Sequence, residues 1–197
     1  MTGVRTMKPL ATAIAAVLVA IAIILIVRTS RTDQPTKSAA GMGCGPATQE
    51  LIPGSRLPDG CHLETFQGEV TTLGRLRGSK PMVLNFWASW CTYCVKEMPV
   101  LQKIATQYRD KVAFVGVDLL SIQAETREAA KRFARSKNVT YPLVYDEDGV
   151  LYLRFIARVL PPTTIFVRSD GTVAFRRFGE VDEAALKQMM KQYLDIG

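Results

Sequence analysis

The residues best suited to chemistry in this chain are two cysteines in the segment Trp90-Cys91-Thr92-Tyr93-Cys94. They follow the apolar run Met82–Trp87, which predicts a buried strand, and the residues after them predict a helix. A thiol at a helix start meets unpaired backbone N–H groups and the positive end of the helix dipole, so it loses its proton more easily. Cys94 lies one turn further along the helix, close enough to form a disulfide with Cys91. The pattern predicts thiol–disulfide redox chemistry.

A metal site is the alternative use of two cysteines at this spacing. The chain has four cysteines and one histidine, His62, and it lacks the second Cys-x-x-Cys or the histidine pair that would complete a zinc site. We therefore predict no metal and no cofactor beyond the dithiol. Basic residues are not clustered among aromatic ones, which gives nucleic-acid binding little support.

The N-terminal region has the composition of a membrane anchor. Leu10–Val27 contains no charged residue, and a helix of that length spans about 27 Å, close to the thickness of a bilayer core. The residues directly after it make a poor signal-peptidase site, and Ala39-Ala40-Gly41 lies well beyond the apolar run. We predict a tail at 1–9 and an uncleaved transmembrane anchor at 10–27. The basic residues on either side do not decide its orientation.

A polar segment rich in Thr, Ser, Gly and Pro follows, and it predicts a flexible stalk at 28–49 before a domain at 50–197. The formal net charge of +7 is partly due to the region before Cys44, which holds five basic residues and one acidic residue. Cys44 and Cys61 complete an even number of cysteines, and a second pair is most easily explained in an oxidising compartment. We predict that they form a structural disulfide outside the cytoplasm; two free thiols and an intermolecular bridge are the alternatives.

Strand and helix patterns alternate along the domain and predict an α/β fold with a mixed sheet. An N-terminal hairpin is expected around Phe66-Gln67-Gly68. The expected strands are 81–87, 112–117, 141–145 and the hairpin strands 163–167 and 172–175, and the expected helices are 95–108, 124–136 and 183–194. Pro99 predicts a kink in the first helix, and Asp182 predicts the cap of the last.

Three blocks of sequence resemble one family: Val83–Cys91, Cys94–Pro99 and Pro162–Val167. They are similar to membrane-anchored thiol-disulfide oxidoreductases of the TlpA/ResA type, which serve cytochrome c maturation, and the anchor with an extra cysteine pair is most similar to actinobacterial members. The resemblance covers residues from about 57 to 194. It implies a thioredoxin fold, with a mixed central sheet flanked by helices, the N-terminal hairpin as an extension and the transmembrane helix in front.

The resemblance also implies roles for individual residues. Cys91 corresponds to the attacking cysteine, Cys94 to the resolving cysteine, Pro162 to a cis-proline beside the dithiol and Glu97 to an acidic residue of the cytochrome branch. Trp90 is expected to shield the dithiol, although a plain packing role is equally consistent with the sequence.

The residue before the expected cis-proline departs from the family. In the family its backbone pairs with the substrate, but Pro161 has no N–H, so one substrate hydrogen bond cannot form. The cis bond could instead be Leu160–Pro161.

Glu97 also has a physical rationale of its own. It lies three residues after Cys94 on one helix, so the two are expected to be surface neighbours. A carboxylate there can move a proton, and its charge raises the pKa of a nearby thiol. General thioredoxins carry a buried Asp in the preceding strand where this chain has Asn85, which leaves Glu97 as the carboxylate near the cysteines. An ordinary exposed glutamate is the alternative.

The family resemblance implies a function and partners. The expected enzyme reduces the Cys-x-x-Cys-His disulfide of apocytochrome c, or of another extracytoplasmic disulfide protein, and a membrane electron-donor protein reduces it in turn. The rival reading is a dithiol oxidase for secreted proteins, because direction depends on a reduction potential that sequence does not give. A haem- or metal-carrying module is a weaker third alternative.

Overall fold

The computed structural model describes Cys44, residues 52–155 and residues 161–196. All of these belong to the second of two units into which the chain divides, Ala39–Gly197. None of the helices formed by the described residues is long and apolar enough to span a membrane. The predicted anchor at 10–27 and most of the predicted stalk lie outside the described residues.

The described residues form a seven-stranded sheet in the order β2-β1-β5-β4-β3-β6-β7. Strand β3 is an interior strand that pairs in parallel with β4 and antiparallel with β6, so the sheet is mixed, as the sequence predicts. The strands are β1 His62–Thr65, β2 Val70–Thr72, β3 Met82–Trp87, β4 Ala113–Asp118, β5 Leu143–Tyr145, β6 Thr163–Val167 and β7 Val173–Phe178. The predicted N-terminal hairpin, β1 and β2, extends the sheet at one edge by pairing β1 with β5.

Helices lie between the strands and after them: α1 Leu73–Arg77, α2 Thr92–Tyr108, α3 Arg127–Ser136, α4 Val150–Phe155 and α5 Glu183–Leu194. Helix α2 begins earlier than the sequence predicts, directly after Cys91, and it continues through Pro99. Helix α5 is capped by the side chain of Asp182, which accepts a hydrogen bond from Ala185 N at 2.8 Å, as predicted.

Helix α3 begins later than predicted because the backbone before it does not permit a helix. Gln123 and Ala124 have positive φ angles of 46° and 55°, and Thr126 then caps the helix through its side chain. The two short helices, α1 and α4, were not predicted. Each has too few residues to produce a clear helical periodicity in the sequence.

The side chains of the sheet form two apolar layers, one on each face. The layer on the first face includes Trp87, Cys91 and Cys94 and packs against α2, α3 and α5. The layer on the second face includes Cys44 and Cys61 and the side chains of Leu84 and Phe86. Because side chains of one strand alternate between faces, β3 supplies both layers and is buried along its whole length.

Candidate active site

The site is built at the junction between the buried strand β3 and helix α2. Cys91 is the N-cap residue of α2, and its Sγ accepts a hydrogen bond from Cys94 N at 3.1 Å. This N–H is one of the groups that a helix start leaves without a partner, and it would stabilise negative charge on the Cys91 sulfur. The arrangement is the one that the sequence predicts for a reactive thiol.

The two cysteines are joined by a disulfide, with 5.2 Å between their Cα atoms. Cys91 is 4% exposed and Cys94 is 1% exposed, so both cysteines are nearly buried. Two aromatic residues adjacent to the cysteines in sequence are partly exposed: Trp90 is 37% exposed and Tyr93 is 57% exposed. The chain segment that carries the dithiol therefore exposes aromatic area of the kind that contacts protein partners.

Glu97 is buried, with only 1% of the residue exposed. Its Oε1 accepts a hydrogen bond from Asn85 Nδ2 at 2.6 Å, and its Oε2 accepts one from Val181 N at 3.0 Å. Glu97 and Cys94 lie on the same face of α2, as the sequence predicts, but this face points inward and not to solvent. An ordinary exposed glutamate is excluded for the same reason.

Burial has a direct electrostatic consequence for this carboxyl. Desolvation raises the pKa of Glu97 to about 7, while the hydrogen bonds from Asn85 and Val181 oppose the shift. The nearby charge of Glu180 adds to the rise, and that of Arg177 lowers it. A carboxyl with a pKa near neutrality can both hold and release a proton at physiological pH, which is the property required of a general acid or base.

Asn85 connects this carboxyl to the neighbouring strand. Its Nδ2 donates to Glu97 Oε1 and also lies 3.1 Å from Thr164 Oγ1 on β6. Asn85 and Thr164 are cross-strand partners in the antiparallel β3–β6 pairing. Where a second acid would stand in general thioredoxins, this chain thus has an amide that fixes the orientation of Glu97.

The proline pair lies at the start of β6, beside the carboxyl end of β3. The peptide bond between Pro161 and Pro162 is cis, and both prolines are buried. Thr163, the next residue, pairs with Phe86 near the end of β3, and Pro162 O accepts a hydrogen bond from Gly179 N at 2.9 Å. The cis bond is the one that the family resemblance implies.

Glu125 contacts the site but was not singled out from the sequence. Its carboxylate accepts hydrogen bonds from Ser89 N at 2.7 Å and from Ser89 Oγ at 2.8 Å, two residues before Cys91. No local sequence signal marks it, because the contact joins segments that are 36 residues apart.

Cys44 and Cys61 are joined by a disulfide on the other face of the sheet, with 4.0 Å between their Cα atoms. Both residues are buried, and Cys61 directly precedes β1. This pair is therefore separated by the sheet from Cys91 and Cys94. Among the residues that the structure describes, no group of His, Cys, Asp and Glu is arranged to hold a metal ion.

The fold and the site agree with the family to which the chain belongs. Residues 53–176 match the AhpC/TSA family, and this match covers more than half of the chain. The chain is therefore a member of the AhpC/TSA family, with a thioredoxin-like α/β fold.

Individual relatives narrow the class of enzyme. The chain is 32% identical over 143 residues to the thioredoxin-like protein YneN of Bacillus subtilis, a match that covers 73% of this chain and 79% of YneN. It is 30% identical over 129 residues to the thiol-disulfide oxidoreductase ResA of Bacillus thuringiensis, covering 64% of this chain and 70% of ResA.

A solved structure gives the same result. A secreted Mycobacterium tuberculosis disulfide oxidoreductase homologous to E. coli DsbE superposes with a TM-score of 0.58 at 27% identity, covering 66% of this chain and 94% of that one. With the dithiol at the start of α2, these similarities identify the chain as a thiol-disulfide oxidoreductase of the ResA/DsbE type.

Proposed function

We propose that this enzyme works outside the cytoplasm as a reductase of the Cys-x-x-Cys-His disulfide of apocytochrome c, before haem is attached. The observation that carries the proposal is the buried carboxyl of Glu97, fixed by Asn85 and placed one helical turn after Cys94. The similarity to ResA and to the DsbE homologue supports it. The sequence resemblance to the cytochrome-maturation branch supplies the substrate, and the extra cysteine pair favours its actinobacterial members.

The reaction consists of two exchange steps that start from the reduced enzyme. The Cys91 thiolate attacks one sulfur of the substrate disulfide, whose S–S bond breaks as a mixed disulfide forms and one substrate thiolate leaves. The Cys94 thiolate then attacks the Cys91 sulfur and displaces the second substrate thiolate. The substrate gains two electrons and two protons, and the enzyme is left with the Cys91–Cys94 disulfide.

Glu97 has the properties needed to assist the second step. Cys94 must lose its proton before it attacks, and a carboxyl with a pKa of about 7 can accept that proton at neutral pH. A surface cleft of about 380 Å³, lined by Glu97 together with Lys96, Arg177 and Glu180, offers the proton a route to solvent. In the reverse direction the same carboxyl returns the proton when the disulfide is reduced.

The substrate would bind beside the dithiol, next to the exposed ring of Trp90 and over the buried Pro161–Pro162 pair. Trp90 supplies exposed aromatic area beside the dithiol, and aromatic residues are enriched where proteins contact each other. Pro161 has no N–H to donate, so the substrate backbone is held there by one hydrogen bond fewer than in a relative with another residue at this position.

Residues 10–27 would anchor the enzyme in the cell membrane as a single span, residues 28–49 would form the stalk and residues 50–197 would lie on the extracytoplasmic side. A membrane protein with a reactive dithiol would reduce the Cys91–Cys94 disulfide by the same exchange chemistry. No cofactor other than the dithiol is required.

A peptide assay tests the reaction. The reduced enzyme, mixed with a disulfide-bonded peptide containing Cys-x-x-Cys-His, should convert it to the dithiol, which can be followed by mass spectrometry after alkylation. Cys94→Ser should accumulate the mixed disulfide through Cys91, and Cys91→Ser should form none. If the oxidised enzyme instead converts the dithiol peptide to its disulfide, the chain is an oxidase and the proposal is wrong.

Protease accessibility tests the location. Protease added to intact spheroplasts that express the full chain should digest the domain at 50–197 and leave a membrane-bound fragment containing residues 10–27. Protection of the domain until the membrane is permeabilised would place the dithiol in the cytoplasm and contradict the proposal.

A further inference from the structure

The loop that precedes the reactive cysteine is held by one carboxylate. Glu125 Oε2 accepts from Ser89 N at 2.7 Å, and its Oε1 accepts from Ser89 Oγ at 2.8 Å and from Thr126 N at 3.2 Å. Glu125 is buried. Hydrogen bonds to an ionised acceptor are about twice as strong as neutral ones, so Glu125 fastens the segment before Trp90 and Cys91 to the start of α3.

A second buried acid, Asp118, is the last residue of β4 and is close enough to Glu125 for the two charges to interact. It is fully buried, and within the described part of the chain neither of its carboxyl oxygens has a hydrogen-bond partner. It pairs with Trp87 on β3 and with Tyr145 on β5. Trp87 is the last residue of β3, so Asp118 lies next to the point where the active-site loop begins.

The groups around Asp118 favour its protonated form. Asp118 is faced by Glu125 from the loop before α3, by Arg127 on α3, by Tyr145 on β5 and by Asp146 after β5. Burial and the negative charge of Glu125 raise the pKa of Asp118 to about 8, and Arg127 lowers it. Asp118, to which no group among the described residues donates, therefore keeps its proton at neutral pH, whereas Ser89 N, Ser89 Oγ and Thr126 N donate to the Glu125 carboxylate.

We infer that Glu125 is a positioning residue for disulfide exchange, and that a protonated Asp118 leaves the contact between the Glu125 carboxylate and Ser89 intact. Ionisation of Asp118 places a second negative charge next to Glu125, weakens its hold on Ser89 and releases the loop that carries Trp90 and Cys91. The inference rests on the proposed function only in taking Cys91 as the nucleophile; it does not depend on the substrate or on the direction of the reaction.

The experiment measures exchange between the reduced full-length enzyme and oxidised glutathione, a disulfide unrelated to the proposed substrate. Each rate constant is divided by the thiolate fraction of Cys91, which is obtained from alkylation rates across the pH range. Glu125→Gln should lower this corrected rate about tenfold at pH 7, the loss expected for one charge-assisted hydrogen bond. Glu128→Gln is the matched control, because it removes an exposed carboxylate from the first turn of α3.

Two further variants show that the effect passes through Ser89 and depends on Asp118. Ser89→Ala, which keeps its N–H, should lower the corrected rate about threefold, and Ser89→Ala/Glu125→Gln should be no slower than Glu125→Gln alone, because both remove one contact. The ratio of the corrected rate of Asp118→Asn to that of the parent should rise about threefold between pH 7 and pH 9. Only the parent has a carboxyl at position 118 that loses its proton in this range.

The inference is overturned if Glu125→Gln is folded and exchanges as fast as Glu128→Gln. Strictly additive losses in the double variant, or a constant ratio between Asp118→Asn and the parent over pH 7–9, would also contradict it. If Glu125→Gln fails to fold, Ser89→Ala and Asp118→Asn decide the outcome. Normal exchange with glutathione but none with the Cys-x-x-Cys-His peptide would refute the proposed substrate alone.

Discussion

At the scale of single residues, burial determines what the acidic side chains of this enzyme can do. Glu97 on α2 and Asp118 at the end of β4 are both buried. Desolvation is the main cause that raises the pKa of each carboxyl. They differ in their partners. Glu97 receives hydrogen bonds from Asn85 and Val181 and so can carry a charge at neutral pH, whereas Asp118 receives none within the described residues and stays protonated.

We expect the pKa of Glu97 to appear in the pH dependence of stability. Its pKa is raised on folding from 4.5 to about 7, so the folded state is favoured below 4.5 and this advantage is lost as the pH rises through that interval. The loss amounts to about 3 kcal/mol for a shift of this size. Urea unfolding at pH 4, 6 and 8 should show a smaller decrease for Glu97→Gln than for the parent.

Asp118→Asn serves as a comparison for this measurement. In the parent, the raised pKa of Asp118 causes a further decrease in stability that extends to about pH 8, and the variant lacks this decrease. Profiles of parent and Glu97→Gln that run parallel over the whole range would show that Glu97 titrates normally, and its role as a proton carrier would then be untenable.

The sequence indicates the reactive residues better than their surroundings. Cys91 and Cys94 can be identified from their spacing and the preceding strand, and Glu97 from its position on the same helix. That Glu97 is buried cannot be read from one sequence, because Val181, which covers it, comes 84 residues later. Glu125 is missed for the same physical reason: its contact with Ser89 exists only after β3 and β4 have paired in parallel.

At the scale of elements, the β3–α2 unit positions the chemistry and the rest of the sheet supports it. Six consecutive buried residues place β3 in the interior of the sheet, and α2 begins shortly after the strand ends, with Cys91 as its N-cap. The major strands and the long helices are predictable from periodicity. The strand order depends on which edges meet in three dimensions, and the short helices α1 and α4 depend on local caps and contacts.

The disulfide between Cys44 and Cys61 ties the chain before β1 to the start of that strand. Its removal should reduce stability without changing the redox chemistry. Cys44→Ser/Cys61→Ser should lower the free energy of unfolding by about 3 kcal/mol, the value expected when a cross-link of this loop length is lost. Oxidised parent and variant can be compared by urea unfolding, with exchange activity at Cys91 as the control. Equal stabilities would show that the bridge does not constrain the unfolded chain.

At the scale of the whole molecule, we propose an exchange domain that is tethered to the membrane. The proposed anchor at 10–27 and stalk at 28–49 would keep the dithiol near the membrane, where it could meet both a membrane electron donor and a newly exported cytochrome. The dithiol face, the proline pair and the Glu97 cleft lie at the same end of the sheet. The Cys44–Cys61 bridge lies on the opposite face of the sheet from the dithiol, so it can strengthen the domain without obstructing exchange.

The reduction potential of the Cys91–Cys94 couple is the strongest test of the proposed reductase activity, because it determines the direction in which electrons flow. It can be measured by equilibrating the full chain with glutathione or dithiothreitol buffers at pH 7 and quantifying the reduced fraction by alkylation. A reductase requires a potential near or below that of thioredoxin, about −270 mV, and this is the result that we predict. A potential near about −120 mV, typical of a strong dithiol oxidase, would contradict the account.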